Sequence, residues 1–141
     1  MSMDITNANA RVVLSCDLFN AQLQQFSTDT SFEGEDDTVA ETRMGVDGKM
    51  VAGQVPNIKA VTLHLEASSP SYQYLTLLKQ SMEKNRKIYE CQMVISIPSI
   101  GRRITYSKGV LVSAKDLPDG KKVLDPTTWT FNFEGKSVET L

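Results

Sequence analysis

Apolar and polar residues alternate along much of this chain with a period of two, the spacing that sends successive side chains to opposite faces of a strand. From Arg11 to Phe19, one face carries Val12, Leu14, Cys16 and Leu18, and the other carries Val13, Ser15, Asp17 and Phe19. After Pro56 the pattern resumes from Ile58 to Glu66, with Lys59, Val61, Leu63 and Leu65 opposed to Ile58, Ala60, Thr62, His64 and Glu66. A third run passes through Cys91, Met93, Ile95 and Ile97 and stops at Pro98. A fourth extends from Arg102 to Ala114, where Gly109 marks a bulge or bend. The last covers Thr128 to Glu134, with Trp129, Phe131 and Phe133 on one side and Thr128, Thr130, Asn132 and Glu134 on the other.

Helical spacing occurs once. Tyr74, Leu75, Leu78 and Met82 follow Ser68-Ser69-Pro70-Ser71 and form an apolar stripe, which predicts a helix over about residues 70–85. Ser69 is placed to accept a hydrogen bond from an unpaired helix N–H, and Pro70 suits a first helical turn. Lys84, Arg86 and Lys87 sit where positive charge complements the helix C-terminus. Asp47-Gly48, within Arg43-Met44-Gly45-Val46-Asp47-Gly48-Lys49, is a hairpin-turn signal, and Asp119-Gly120 marks another turn. Residues 27–42 are rich in Ser, Thr, Asp and Glu, with Phe32, Val39 and Met44 as apolar anchors, so residues 27–54 read as a long extended arm. The expected fold is mainly β: a β-sandwich or split barrel of about six strands with one flanking α-helix, as a single domain over residues 1–141.

At 141 residues and a net charge of −2, the chain has the size and balance of one globular domain, which excludes a disordered or strongly basic, nucleic-acid-binding protein. The charge is uneven, however. Val12 to Thr42 holds seven acids and no base, whereas Lys79 to Lys122 holds ten bases and four acids. Such a division lets copies attract one another head to tail, or simply gives one molecule two solvated faces. Met1-Ser2-Met3-Asp4 lacks the basic and apolar regions of a signal peptide, so a reducing cytoplasm with Cys16 and Cys91 as buried free thiols is expected.

Catalytic signatures are missing. Cys16, His64 and Cys91 are the soft metal ligands, and their spacing matches no zinc motif. Neither a G-x-S-x-G elbow nor a phosphate-binding glycine loop occurs. Glu35, Asp36 and Asp37 are adjacent in a polar stretch, where carboxylates stay hydrated instead of dividing into acid and base. Arg102 and Arg103 beside Tyr106 make only a small nucleic-acid footprint. No catalytic residue, metal or cofactor is assigned.

The order of these features resembles the tail tube proteins of contractile-tailed bacteriophages over roughly residues 10–135. The matching parts are the acidic segment Ser27 to Glu41, the turn Met44-Gly45-Val46-Asp47-Gly48, the strand Val61-Thr62-Leu63-His64-Leu65, the helix start Ser68-Ser69-Pro70-Ser71 and the closing strand Thr128-Trp129-Thr130-Phe131. The resemblance implies a structural virion protein, not an enzyme, whose copies form hexameric rings stacked into the inner tube through which phage DNA is ejected. The fold is similar to baseplate tube-initiator proteins and type VI secretion tube proteins, and a small β-barrel adaptor or tail-completion module is the alternative. Implied partners are further copies, the tail sheath, tape measure, baseplate and terminator proteins, and double-stranded DNA in transient, non-specific passage. No membrane insertion is expected. The location implied is the tail of a virion assembled in the host bacterial cytoplasm. Arm residues Asp29, Glu33, Glu35, Asp36, Asp37, Glu41 and Arg43 are expected to meet another copy, with Arg86, Lys87, Arg102 and Lys108 as basic partners. Thr105, Ser107, Thr128, Thr130 and Asn132 are the expected lumen-facing residues.

Overall fold

The computed structural model describes residues 10–24, 26, 32–54 and 56–140. In chain order the elements are β1 (Arg11–Cys16), β2 (Asn20–Leu23), β3 (Phe32–Gly34), β4 (Ala40–Met44), β5 (Met50–Gln54), β6 (Lys59–Leu65), α1 (Tyr72–Asn85), β7 (Cys91–Ile97), β8 (Arg102–Lys115) and β9 (Thr127–Thr140). Seven strands make one antiparallel sheet in the order β2-β1-β7-β8-β9-β6-β3, and β4 pairs only with β5.

The sheet curls without closing. Phe26, three residues beyond the end of β2 at one edge, bridges to Leu65 of β6 near the other. Three residues reach at most about 11 Å, so the two sides of the sheet must approach one another there. The edge strands β2 and β3 nevertheless do not pair, and the molecule is an open, mainly β split barrel with one helix, the architecture expected from the alternation.

Alternation along each strand fills the concave side. Val12 and Leu14 of β1, Val61, Leu63 and Leu65 of β6, Met93 and Ile95 of β7, and Trp129, Phe131 and Phe133 of β9 are all buried. Leu75 and Leu78 of α1 complete this cluster. Tyr72 of α1 meets the Trp129 ring edge to face, with centroids 5.9 Å apart. The Trp129 indole N–H donates to Thr127 Oγ1 at 3.0 Å, and that hydroxyl donates to the Leu65 carbonyl at 3.3 Å. The polar atoms of this aromatic centre are thereby satisfied.

The helix begins two residues later than its sequence signal. Pro70 lies ahead of it, and the N-cap is Ser71, whose backbone is already helical and whose side chain makes no capping bond. Ser71 Oγ instead accepts the Gln24 N–H at 2.7 Å, while Ser69 Oγ donates to the Gln24 carbonyl and accepts the Ser71 N–H at 3.3 Å. The two serines therefore dock the end of β2 onto the helix entry instead of capping the helix. Arg86 ends α1 in the left-handed region, φ 48°, with its N–H on the Met82 carbonyl.

The bend expected at Gly109 lies one residue earlier, at Lys108, φ 54°, opposite an irregular register between Cys91 and Met93. Gly109 is required for space: a Cβ there would come within 2.1 Å of the Phe133 ring. Two further departures concern extent. β9 continues to Thr140, well past Glu134, and β2 forms after the tight turn at residues 17–19. Both segments lack clean alternation, so their strand character comes from pairing with β8 and β1.

Candidate assembly interface

The convex side of the sheet is polar because the inward pattern leaves the other half of each strand facing out. Register places Thr62 beside Thr130, His64 beside Thr128, Val110 beside Asn132, Ser107 beside Gly135 and Thr105 beside Ser137. The five residues Thr105, Ser107, Thr128, Thr130 and Asn132 thus share one face, each half-buried. Their side chains bond laterally. The Thr62 and Thr130 hydroxyls are 3.3 Å apart, and Thr128 Oγ1 lies 3.4 Å from His64 Nδ1. His64 Nε2 in turn meets Glu33 Oε1 at 2.8 Å. The bases on this face sit toward the strand ends, where Arg103 pairs with Glu139 at 2.6 Å and Lys115 with Asp119 at 3.0 Å. The interior of the face mixes hydroxyl and amide groups with Val13, Val94 and Val110.

The arm resolves into two pieces. β3 is a three-residue edge strand on β6, and it carries Glu33. Glu35 donates its N–H to the Ala60 carbonyl at 3.1 Å, extending that attachment. Asp37 then meets Lys136 of β9 at 3.1 Å, and the same ammonium lies 5.7 Å from the centre of the Tyr106 ring. Burial works against the Lys136 charge, but the Asp37 carboxylate and the Tyr106 phenol oxygen outweigh it and hold the ammonium above its usual range. Burial also raises the Tyr106 phenol. The arm is therefore latched to the sheet at its root, with Asp37 already paired within the chain. Asp29 lies outside the described residues.

Beyond the latch stands the β4–β5 hairpin. All ten of its strand residues are exposed. Its loop is closed by the Gly45 N–H on the Lys49 carbonyl at 2.8 Å, the Gly48 N–H on the Gly45 carbonyl at 3.0 Å, and Lys49 N–H on Asp47 Oδ1 at 3.0 Å. Gly48 has φ 83°, the conformation the turn signal required. Register sets Met44 directly opposite Met50, on the face shared with Thr42 and Ala52, and Arg43 opposite Val51 on the other face with Glu41. Met44, Met50 and Val51 are 65%, 64% and 54% exposed. Of the three apolar anchors expected to order the arm, only Phe32 packs on the core, and Val39 and Met44 face outward. A two-stranded hairpin alone is marginal in water, and an apolar one standing free lacks a face to bury.

The four basic candidates are dispersed and exposed: Arg86 and Lys87 at the end of α1, Arg102 at the start of β8, and Lys108 at the bulge. Among the described residues no ion pair takes any of them. Lys87 lies 5.3 Å from the Tyr89 ring centre. Glu35, Asp36 and Glu41 likewise enter none of these ion pairs, so the arm's exposed acids and these bases are separate surfaces. The Lys136 latch and the Met44–Met50 pair were not among the residues expected to carry function. The Asp47-Gly48 turn could have located the methionines, because it fixes which residues face each other across the hairpin. Among the described residues, no group of three His, Cys, Asp or Glu side chains could hold a metal ion, and no helix is long and apolar enough to cross a membrane.

Residues 3–137 match the family model described as tail fiber protein gp32. No curated protein sequence matches the chain. Three solved structures share the fold. A chain of the sheath–tube complex of the PVC extracellular contractile injection system in its extended state gives a TM-score of 0.64 at 13% identity, over 93% of this chain and 89% of that one. A chain of the sheath/tube terminator of the PVC system gives 0.63 at 11% identity, over 99% of each. A chain of the anti-feeding prophage baseplate gives 0.62 at 16% identity, over 99% of this chain and 98% of that one. At these identities the likeness is one of fold, and that fold is the one the tail-tube resemblance implies.

Proposed function

This chain belongs to the gp32 tail fiber protein family, and from that premise we propose that it is a structural, non-enzymatic tail subunit whose copies join into rings, six to a ring by the tail-tube resemblance, around a hollow conduit. The observation that carries this is the β4–β5 hairpin, which pairs with no other strand and presents Met44 and Met50 with no cover among the described residues. A second copy supplies the missing face. The edges at β2 and β3, unpaired among the described residues, support the same reading, since copies that continue each other's sheets remove edges that would otherwise template aggregation.

The polar convex face is the surface that suits a conduit for double-stranded DNA. A wall that neutralised phosphates would hold the duplex by counterion release. Thr105, Ser107, Thr128, Thr130 and Asn132 offer it no fixed positive charge. Glu33 is held against His64, whereas arm acids Glu35, Asp36 and Glu41, with Arg43 beside them, face the next ring. There they meet Arg86, Lys87, Arg102 or Lys108. Sheath, tape measure, baseplate and terminator proteins are the further partners, and the virion tail, assembled in the host cytoplasm, is the location. No cofactor or metal enters the reading.

A second reading is favoured by the family description: one specialised ring or adaptor near the fibers and baseplate, without a repeated tube. Glu35→Lys combined with Asp36→Lys separates the two. Asp37 is left intact because its latch to Lys136 holds the arm. For a stacked tube, the double variant should still form rings, while stacks in electron micrographs shorten to single rings or pairs. Stacks of unchanged length would remove the arm acids from ring-to-ring contact, and a wild-type protein that stops at one ring would favour the adaptor.

A further inference from the structure

Cys16 and Cys91 lie on different strands, and antiparallel register makes them direct partners across β1 and β7. Two kinds of opposed pair exist in such a ladder, and only the non-hydrogen-bonded kind brings the side chains close, with Cα atoms about 4.5 Å apart. Cys16 belongs to that kind. Its N–H donates to the Phe19 carbonyl at 2.8 Å, toward β2. In an antiparallel strand the N–H and C=O of one residue point the same way, so neither group of Cys16 is directed at Cys91. That separation lies within the range a disulfide spans. Both thiols are free, and the Cys91 thiol donates to the Tyr89 carbonyl at 3.5 Å. Cys91 is buried beneath the strand, whereas Cys16 is half-exposed in an open recess that also admits Asp17, Glu90 and Lys108.

We propose that Cys16 and Cys91 are an oxidation site, closing to a cross-strand disulfide by exchange with a small-molecule disulfide once the protein meets an oxidising medium. Exposure sets the order of events. The Cys16 thiolate attacks one sulfur of the reagent, the reagent's S–S bond breaks, and one small thiol leaves. Cys91 then gives up its proton, its sulfur attacks Cys16 Sγ in the mixed disulfide, and the second small thiol leaves. Two electrons have passed from the cysteine pair to the reagent, which is reduced to two thiols. The product staples β1 to β7, one strand in from the β2 edge. The staple needs one chain only, since β1 and β7 are paired within it, although Lys108 at the same recess is among the bases proposed to meet the next ring.

The second step is the slow one. Burial, Cys16 itself, and the carboxylates of Asp17 and Glu90 push the Cys91 thiol up to about 12. Lys108, across the recess from β8, is too solvated to reverse this. Burial and the two carboxylates remain when Cys16 is held in the mixed disulfide, so closure should accelerate by roughly tenfold per pH unit for as long as Cys91 stays mostly protonated. The test is to incubate the native protein with hydroxyethyl disulfide, a neutral reagent that the two carboxylates do not repel, and to follow intact mass and thiol alkylation in denaturant. Expected is a transient reagent adduct, then a monomer lighter by both thiol hydrogens, with neither cysteine alkylated until a reductant is added. Cys91→Ser should stop at the adduct on Cys16. Wild-type protein that ends as the adduct with Cys91 alkylatable, or that links two chains, would overturn the assignment, and this outcome needs no variant to fold.

Discussion

Met44→Asp combined with Met50→Asp should weaken self-association by about 10²–10⁴-fold while leaving the isolated subunit as stable as the wild type. The magnitude follows from burial. Covering a methionine side chain contributes about 1.5–3 kcal/mol, so losing two costs about 3–6 kcal/mol, at about 1.4 kcal/mol per decade of association constant. The specificity follows from geometry, because both residues are exposed in the subunit and face each other across a hairpin that pairs with no other described strand. Surface changes of this kind alter folding stability by about 0.5 kcal/mol or less. Sedimentation velocity over a concentration series measures the first quantity and urea unfolding the second. Unchanged association would show that the hairpin's apolar face is left bare in the assembly.

Trp129→Ala should cost about 3–5 kcal/mol, a large part of the 5–15 kcal/mol that holds a domain of this size. Trp129 is fully buried near the start of β9, beside Tyr72 of the helix and over the Thr127–Leu65 hydrogen bond. Its removal takes away the Tyr72–Trp129 contact between the helix and the sheet as well as the volume of the indole. Urea denaturation should show a lower midpoint with an unchanged slope, since the same surface is exposed on unfolding. A loss under about 1 kcal/mol would mean that the helix and sheet do not share one core.

How far the sequence foretold this molecule depended on whether the decisive interaction was local. The inward faces of β1, β6, β7 and β9 were legible because burial acts on alternate residues, and the hairpin turn was legible because Gly48 needs a positive φ. Helix content was legible too, but its start was not. Ser69 and Ser71 are good capping residues, and both instead bind Gln24, a partner more than forty residues away. The same reason hid the Asp37–Lys136 latch, which joins residues ninety-nine apart, and the opposition of Cys16 to Cys91, which depends on the register of β1 against β7. Thr105, Ser107, Thr128, Thr130 and Asn132 could be placed on a shared outer face because period two fixes a side as soon as one inward residue is known. Whether they line a lumen is a property of an assembly, which no single chain's pattern contains.

Negative-stain electron microscopy of the purified protein at rising concentration tests the central claim most directly. Copies that complete one another should appear as annular particles with a stain-filled centre, alone or stacked. A field of compact single subunits at every concentration, with the β2 and β3 edges unpaired, would contradict it.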